Sequence, residues 1–427
     1  MGGSQRTRSS GASLAARRTS SASPAARRAG RGARELTPAA TAGAGTREPG
    51  HRQQQRWRRA TVIWAPLAAM LLVVAAAAVW AVAGGRNAAP GRPAPPPVPA
   101  RWIQYRHVGT VVDLAVAPNS DTLTASAYGH LVRLGTEGAL TMFARQRSGF
   151  TTGPEDESYL IFSPGGTVPG RRCSFPAGAV FVLTVQHHPG VTEVTSTGRA
   201  HQFVSLPGAL PDGIAFDNIG RFGHRLLVTS AVKGRTTLFA VDCAGHATVI
   251  SSHLPRVEGG ITVAPRSFGR YGGDLIGADE VTGRIWALSR SGRALLVARS
   301  GLPAGQDTGV ESTGFIPPGF GADWVALLAD RINVEDVSQP PDLAVRHESR
   351  CVTALPDAPC EHPGTGNILQ LPAAVLLRAG ARPGDLVLAT EARARTILVH
   401  CASTCTVRRA AAGPAVTNAE GHIVFAA

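Results

Sequence analysis

The sequence predicts an all-β exported domain built from repeating four-stranded units, carried behind a disordered tail and one transmembrane helix. Three observations predict it. The excess positive charge is confined to the first 59 of 427 residues, a single apolar run follows it, and a short polar–apolar motif recurs six times in the remainder.

The tail comes first. Residues 1–59 hold 13 Arg, no Lys and only two acids, Glu35 and Glu48, and so carry +11 of the chain's net +14. Residues 101–427 hold 28 basic and 27 acidic groups, so they are nearly neutral. A nucleic-acid-binding domain would need its basic footprint on the folded part, and that class is excluded. Residues 1–59 are mostly Arg, Ser, Ala, Gly and Gln. They have too few large apolar side chains to offset chain entropy, which predicts a disordered, basic cytoplasmic tail. Lying on anionic headgroups it would fix topology, each Arg contributing ~1 kcal/mol. A docking or phosphorylation segment around Arg17-Arg18-Thr19-Ser20-Ser21 is the competing reading.

Residues 60–83 contain no charged side chain. As a helix at ~1.5 Å per residue they reach about 36 Å, enough to cross a ~30 Å hydrocarbon core with some tilt. Trp57, Trp64 and Trp80 lie near the ends of the run, where indoles favour the interface, and Pro66 falls in the first turns, where a helix tolerates it. Arg52, Arg56, Arg58 and Arg59 flank the N-terminal side, against Arg86 and Arg92 on the other. That asymmetry keeps the N-terminus in the cytoplasm and sends residues 101–427 outside as a single-pass protein of the cell membrane. A cleavable signal peptide is the alternative, because Ala81-Val82-Ala83 is a small-residue site. The run is longer than a usual signal core, which favours an uncleaved signal anchor. Residues 84–100 are Pro-rich and predict a semi-rigid spacer.

Residues 101–427 show short apolar runs punctuated by Gly, Pro, Asp and Ser, which predicts strands. The recurring element is polar-Asp-apolar-apolar, at Ser120-Asp121-Thr122-Leu123, Gly273-Asp274-Leu275-Ile276, Ala322-Asp323-Trp324-Val325 and Gly384-Asp385-Leu386-Val387. Variants stand at Gly178-Ala179-Val180-Phe181 and His224-Arg225-Leu226-Leu227. The anchors at 121, 179, 225, 274, 323 and 385 are 58, 46, 49, 49 and 62 residues apart. Within residues 257–300 the order is an apolar run at 261–264, then 274–278, 284–289 and 294–298, four strands to one unit. Four-stranded units at this period predict a six-bladed β-propeller, with residues 421–427 as a candidate closing strand beside the first blade. A β-sandwich is the alternative, without an expected sixfold period of this size.

Residues 273–288 (GDLIGADEVTGRIWAL) resemble the middle strands of a blade in the NHL-repeat and regucalcin/gluconolactonase-like propellers, and residues 210–217 (LPDGIAFD) resemble the inner strand of the latter family. The likeness covers about two blades. It implies a channel metal held by acids and asparagines, with Asp212 matching a ligand that doubles as general base in lactone hydrolysis.

The residues themselves point to the same region. Glu157, Glu258 and Glu311 each stand seven positions before a proline (Pro164, Pro265, Pro318). Asp212 holds a similar place in the third unit, and Asp113 and Asn367 lie near it in the first and sixth. Innermost strands of a propeller line its axis, so Glu157, Asp212, Glu258 and Glu311 are candidate metal ligands. Carboxylates facing one another repel unless protonated or neutralised, and Ca²⁺ suits such oxygens. The plainer alternative is that these acids cap strand ends, pair with arginines or face solvent.

Six cysteines all fall in the exported part, where disulfides form. Cys401 and Cys405 flank a tight turn, Cys351 and Cys360 bracket a Pro-rich loop, and Cys173 and Cys243 remain as a pair. No pair has zinc-finger spacing, and no nucleophile elbow, phosphate loop or dinucleotide fingerprint occurs. With Lys233 the sole lysine, the composition suits a bacterium with a GC-rich genome. Two functions compete. One is a binding or sensing module for a cell-envelope ligand or protein, and the other a metal-dependent hydrolase of lactones or small esters.

Overall fold

The computed structural model describes residues 100–427 except 109–110, 119–121, 128, 136–138, 154–155, 187, 307, 332–366 and 415–416. The expected tail, the membrane helix at 60–83, the spacer up to residue 99 and the cysteines 351 and 360 lie outside the described residues. Among the described residues no helix is long and apolar enough to cross a membrane.

Strand β1 (Ile103–His107) opens the chain. A first sheet then follows in chain order, β2 (Val111–Val116), β3 (Leu123–Ala127), β4 (His130–Leu134) and β5 (Leu140–Phe143). The second begins with β6 (Leu160–Phe162), is interrupted by the short hairpin β7 (Gly166–Thr167) and β8 (Ser174–Phe175), and continues through β9 (Val180–Thr184), β10 (Gly190–Val194) and β11 (Ala200–Ser205). The third holds β12 (Pro211–Phe216), β13 (Leu226–Val232), β14 (Arg235–Val241) and β15 (Ala247–Pro255). In the fourth are β16 (Glu258–Val263), β17 (Leu275–Asp279), β18 (Arg284–Leu288) and β19 (Ala294–Arg299). Each is an antiparallel meander, and together they form a propeller-like arrangement.

The remaining strands are β20 (Val310–Phe315), β21 (Val325–Asp330), β22 (Asn367–Pro372), the short helix α1 (Ala373–Arg378), β23 (Leu386–Thr390), β24 (Thr396–Cys401), β25 (Cys405–Ala411) and β26 (Ala419–Ala426). They join β1 in one eight-stranded sheet of order β1-β22-β21-β26-β20-β23-β24-β25. It consists of two antiparallel runs, β26-β21-β22-β1 and β20-β23-β24-β25, which meet where β20 and β26 lie parallel at Thr313 and His422. The chain leaves β20, builds β21 and β22 in the neighbouring run, and returns to β23. The strand expected to pair beside the first blade is β26; it pairs instead with β21 and lies parallel to β20, and it touches the first sheet through His422, whose N–H donates to Asp113.

All six anchors stand one or two residues before the second strand of a four-strand run: β3, β9, β13, β17, β21 and β23. These strands are covered on both faces, so they read as unbroken apolar runs; β3, β17 and β23 are buried along their whole length. Outer strands face water, as in β25, whose Thr406, Val407, Arg408 and Arg409 are exposed.

The core lies between sheets. Phe175, Phe181, Phe203 and Phe216 pack largely edge-on between the second and third, with centroids 4.9–6.0 Å apart. The Cys173–Cys243 disulfide staples the same two sheets, and Cys401–Cys405 closes the β24–β25 hairpin. Trp102 is fully buried and donates its indole N–H to Thr396 at 2.7 Å, fastening the start of the domain to its last sheet run.

An acidic centre at the innermost strands

The innermost strands β2, β12 and β20 each carry a bulge near their first residues: the ladder register slips between Val111 and Asp113, between Pro211 and Gly213, and between Val310 and Ser312. A bulged residue is released from pairing and re-aimed. In β12 and β20 the released residues are Asp212 and Glu311. Glu258 begins β16 and is followed by Gly259 at φ 70°, and Glu420 in β26 is followed by Gly421 at φ 70°. The left-handed turn is cheap only for glycine, and both glutamates precede one.

Glu311, Glu391 and Glu420 are all buried, and each offers a carboxylate oxygen within 4.8 Å of the other two. The Tyr159 hydroxyl donates to Glu311 at 3.0 Å and to Glu420 at 3.3 Å. Arg331 donates to Glu157 at 2.8 Å and Glu420 at 3.0 Å. Burial pushes the Glu311 carboxyl well above the usual range, and Glu420 and Glu391 push it further. Glu420 rises to about 7 through burial, although Arg331 opposes the rise. A second group adjoins the first: Arg256 bridges Glu258 at 2.7 Å and Glu280 at 3.6 Å. Burial raises Glu258 to about 7, with Arg256 pulling down and Glu280 pushing up. The centre thus gathers Glu157, Glu258, Glu280, Glu311, Glu391 and Glu420 around two guanidinium groups. Carboxyl groups crowded and buried in this way resist carrying full negative charge together.

Of the expected ligands, only Glu311 joins the three-carboxylate group. Glu157 is about half exposed and engaged by Arg331. Glu258 is held by Arg256. Asp212 accepts the Ala231 N–H at 2.6 Å, while its Oδ1 is buried without a partner. Burial raises its carboxyl to about 8, with Glu258 and Glu157 adding to the rise and Thr229 and the Ala231 N–H opposing it. Asn367 starts β22, a middle strand, where it meets His107 and Asp330 instead of the axis.

Glu280, Glu391 and Glu420 were not among the candidates, yet the sequence marks them. Residues 273–280 (GDLIGADE) and 384–391 (GDLVLATE) repeat one motif to its eighth position, which is Glu280 in one and Glu391 in the other. Glu420-Gly421 repeats Glu258-Gly259.

Deeper on the axis, His422 Nε2 lies 3.0 Å from the carbonyl oxygens of Ile214 and Ile261, and Nδ1 lies 2.9 Å from the Asp113 carboxylate. Asp113 also accepts the N–H groups of His422 and Leu160. Both ring nitrogens face acceptors only, so both carry protons. Burial opposes that charge, and Asp113 outweighs it, raising the pKa of His422. One imidazolium therefore ties together β2, β12, β16 and β26, and its partner Asp113 adds β6 through the Leu160 N–H.

No protein-family profile matches the chain, and no curated protein matches it. Among solved structures it is similar to virginiamycin B lyase from Staphylococcus aureus, at 14% identity and a TM-score of 0.33 over 48% of this chain and 59% of that one. The chain thus spans about three-fifths of the lyase's length. A protein from Lactobacillus plantarum is similar at 10% identity and a TM-score of 0.35, over 74% of this chain and 88% of that one. The likeness to a putative gluconolactonase has 12% identity and a TM-score of 0.30, over 54% of this chain and 89% of that one. At these scores no activity passes from the neighbours to this chain.

Proposed function

We propose that the chain is a membrane-anchored, extracytoplasmic β-propeller of six blades that binds a cell-envelope ligand or protein, with a hard divalent cation such as Ca²⁺ at its acidic centre. Each antiparallel run of the eight-stranded sheet counts as one blade beside the four separate sheets. The observation that carries the cation is the Glu311–Glu391–Glu420 group. Oxygens within 4.8 Å of one another suit an ion whose Ca–O distances are about 2.3–2.6 Å. They are buried and repel one another, and Arg331, which reaches Glu420, is shared with Glu157. The donor set is all oxygen, which favours a hard cation.

Ca²⁺ is expected to raise the melting temperature of the purified full-length chain. An ion binding only the native state stabilises by ~2.7 kcal/mol at a hundredfold excess over Kd. Glu311→Gln and Glu391→Gln should abolish the shift. No shift at millimolar Ca²⁺ in the unsubstituted chain would remove the cation.

A metal-dependent hydrolase is the second reading, and Asp212 favours it. Its carboxyl is raised to about 8 by burial, and its Oδ1 is out of solvent. Such a group keeps its proton at neutral pH and can take one from an attacking water only as the pH rises through about 8. Turnover of small lactones that disappears in Asp212→Asn, with the Ca²⁺ shift intact, would favour hydrolysis over binding alone.

A further inference from the structure

A second site lies far out on the sheet run that ends in β25. Leu398 pairs with Arg408 and His400 with Thr406 across β24 and β25, so these four side chains share one face. That face meets the turn after α1, and between them is an open cavity lined by Gly380, Arg382, Asp385, His400, Thr406 and Arg408. Gly380 sits at φ 87°, and a Cβ there would lie 2.7 Å from an Arg408 guanidinium nitrogen. The glycine thus leaves room for that guanidinium at the rim.

The charges are unequal. Asp385 is buried, and both of its oxygens are taken: Oδ1 by His400 Nδ1 at 2.6 Å and Oδ2 by the Arg382 backbone N–H at 3.0 Å. The guanidinium groups of Arg382 and Arg408 have no ion pair or hydrogen bond among the described residues, and His400 Nε2 has no partner there either. At the equivalent position of the fourth sheet, Asp274 faces Arg221 at 3.9 Å with no histidine beside it. The pairing of Asp385 with His400 therefore belongs to this cavity and not to the repeat.

We propose that this cavity binds a phosphate group, gripped by Arg382 and Arg408 with the Thr406 hydroxyl completing the donors and Asp385 fixing His400 at its wall. Two guanidinium groups reaching from separate elements suit a tetrahedral oxyanion with acceptors on several sides better than a planar carboxylate. The phosphate is either free or part of a lipid headgroup.

Protection of His400 from diethylpyrocarbonate, followed by mass spectrometry on the full-length protein, tests this locally. His201 and His246, both exposed, serve as internal references. Inorganic phosphate or a short-chain phosphatidylglycerol below its micelle concentration should slow His400 modification several-fold and leave the references unchanged. Protection by the first identifies a free phosphate; protection by the second alone identifies a headgroup. Arg382→Gln and Arg408→Gln should each raise the half-protecting concentration about tenfold, while unchanged rates at His201 and His246 show that the variants remain folded. Equal protection by acetate, equal slowing of all three histidines, or no protection at tens of millimolar would overturn the site.

Discussion

Asp212 and Asp330 are carboxyl groups that the fold takes largely out of water. The residue Asp212 is partly exposed, but its Oδ1 is out of solvent, and burial lifts the carboxyl to about 8; burial lifts Asp330 to about 7. In an unfolded chain both would titrate near 3.9. Between about pH 4 and pH 8 the native state therefore holds more protons than the unfolded state, and stability falls as pH rises. Asp212→Asn should leave the melting temperature at pH 5 nearly unchanged and raise it by a few degrees at pH 8; thermal scans at the two pH values check this. The single-residue signals had uneven legibility. Glu157, Glu258 and Glu311 could be found because each keeps its distance from a proline. Glu391 and Glu420 could not be placed together, because one directly follows a second strand and the other sits in the last strand. What brings them within reach is the pairing order, which spacing does not encode.

At the scale of the element, the innermost strands depend on missing side chains. A Cβ on Gly260 would meet the Gly421 carbonyl oxygen at 2.1 Å, and one on Gly314 would meet the Ile423 carbonyl oxygen at 2.0 Å. Strands β16, β20 and β26 thus approach backbone to backbone at the axis. Gly260→Ala should destabilise by at least the ~1–3 kcal/mol typical of overpacking, since the obstacle is backbone and cannot swing aside. Gly135→Ala is the control, because its nearest neighbour would be 3.8 Å away. Chemical denaturation of the two variants separates them. The second strands were legible throughout, as the motif before each of them supplies the turn and its buried continuation supplies the apolar run. Their partners were not. β20 precedes β21 in sequence but pairs with β23, since the apolar faces of β21 and β23 are too alike for composition to choose between them.

The whole molecule divides by charge, a basic first segment and a nearly neutral remainder. The proposed topology follows from that division. Alkaline phosphatase fused after Ala427 should be active, because the arginines at 52–59 hold the other end in the cytoplasm; an inactive fusion that is stably expressed would reverse the orientation. The exchange of strands between the two runs of the large sheet has a consequence in time. A chain emerging in order makes β20 long before β23, and β21 and β22 long before β26 and well after β1. Until residues 419–426 arrive, β21 has an open edge and β20 lacks its parallel neighbour. The first four sheets can close as they are made, whereas the last eight strands must wait and then settle together. Non-local pairing of this kind is slow and exposed to aggregation. Refolding from denaturant should therefore show an early phase in which the first four sheets gain protection from hydrogen exchange. A later, concentration-sensitive phase should protect β1, β21, β22 and β26 at the same rate. Simultaneous protection of all sheets would mean that the exchanged strands impose no such delay.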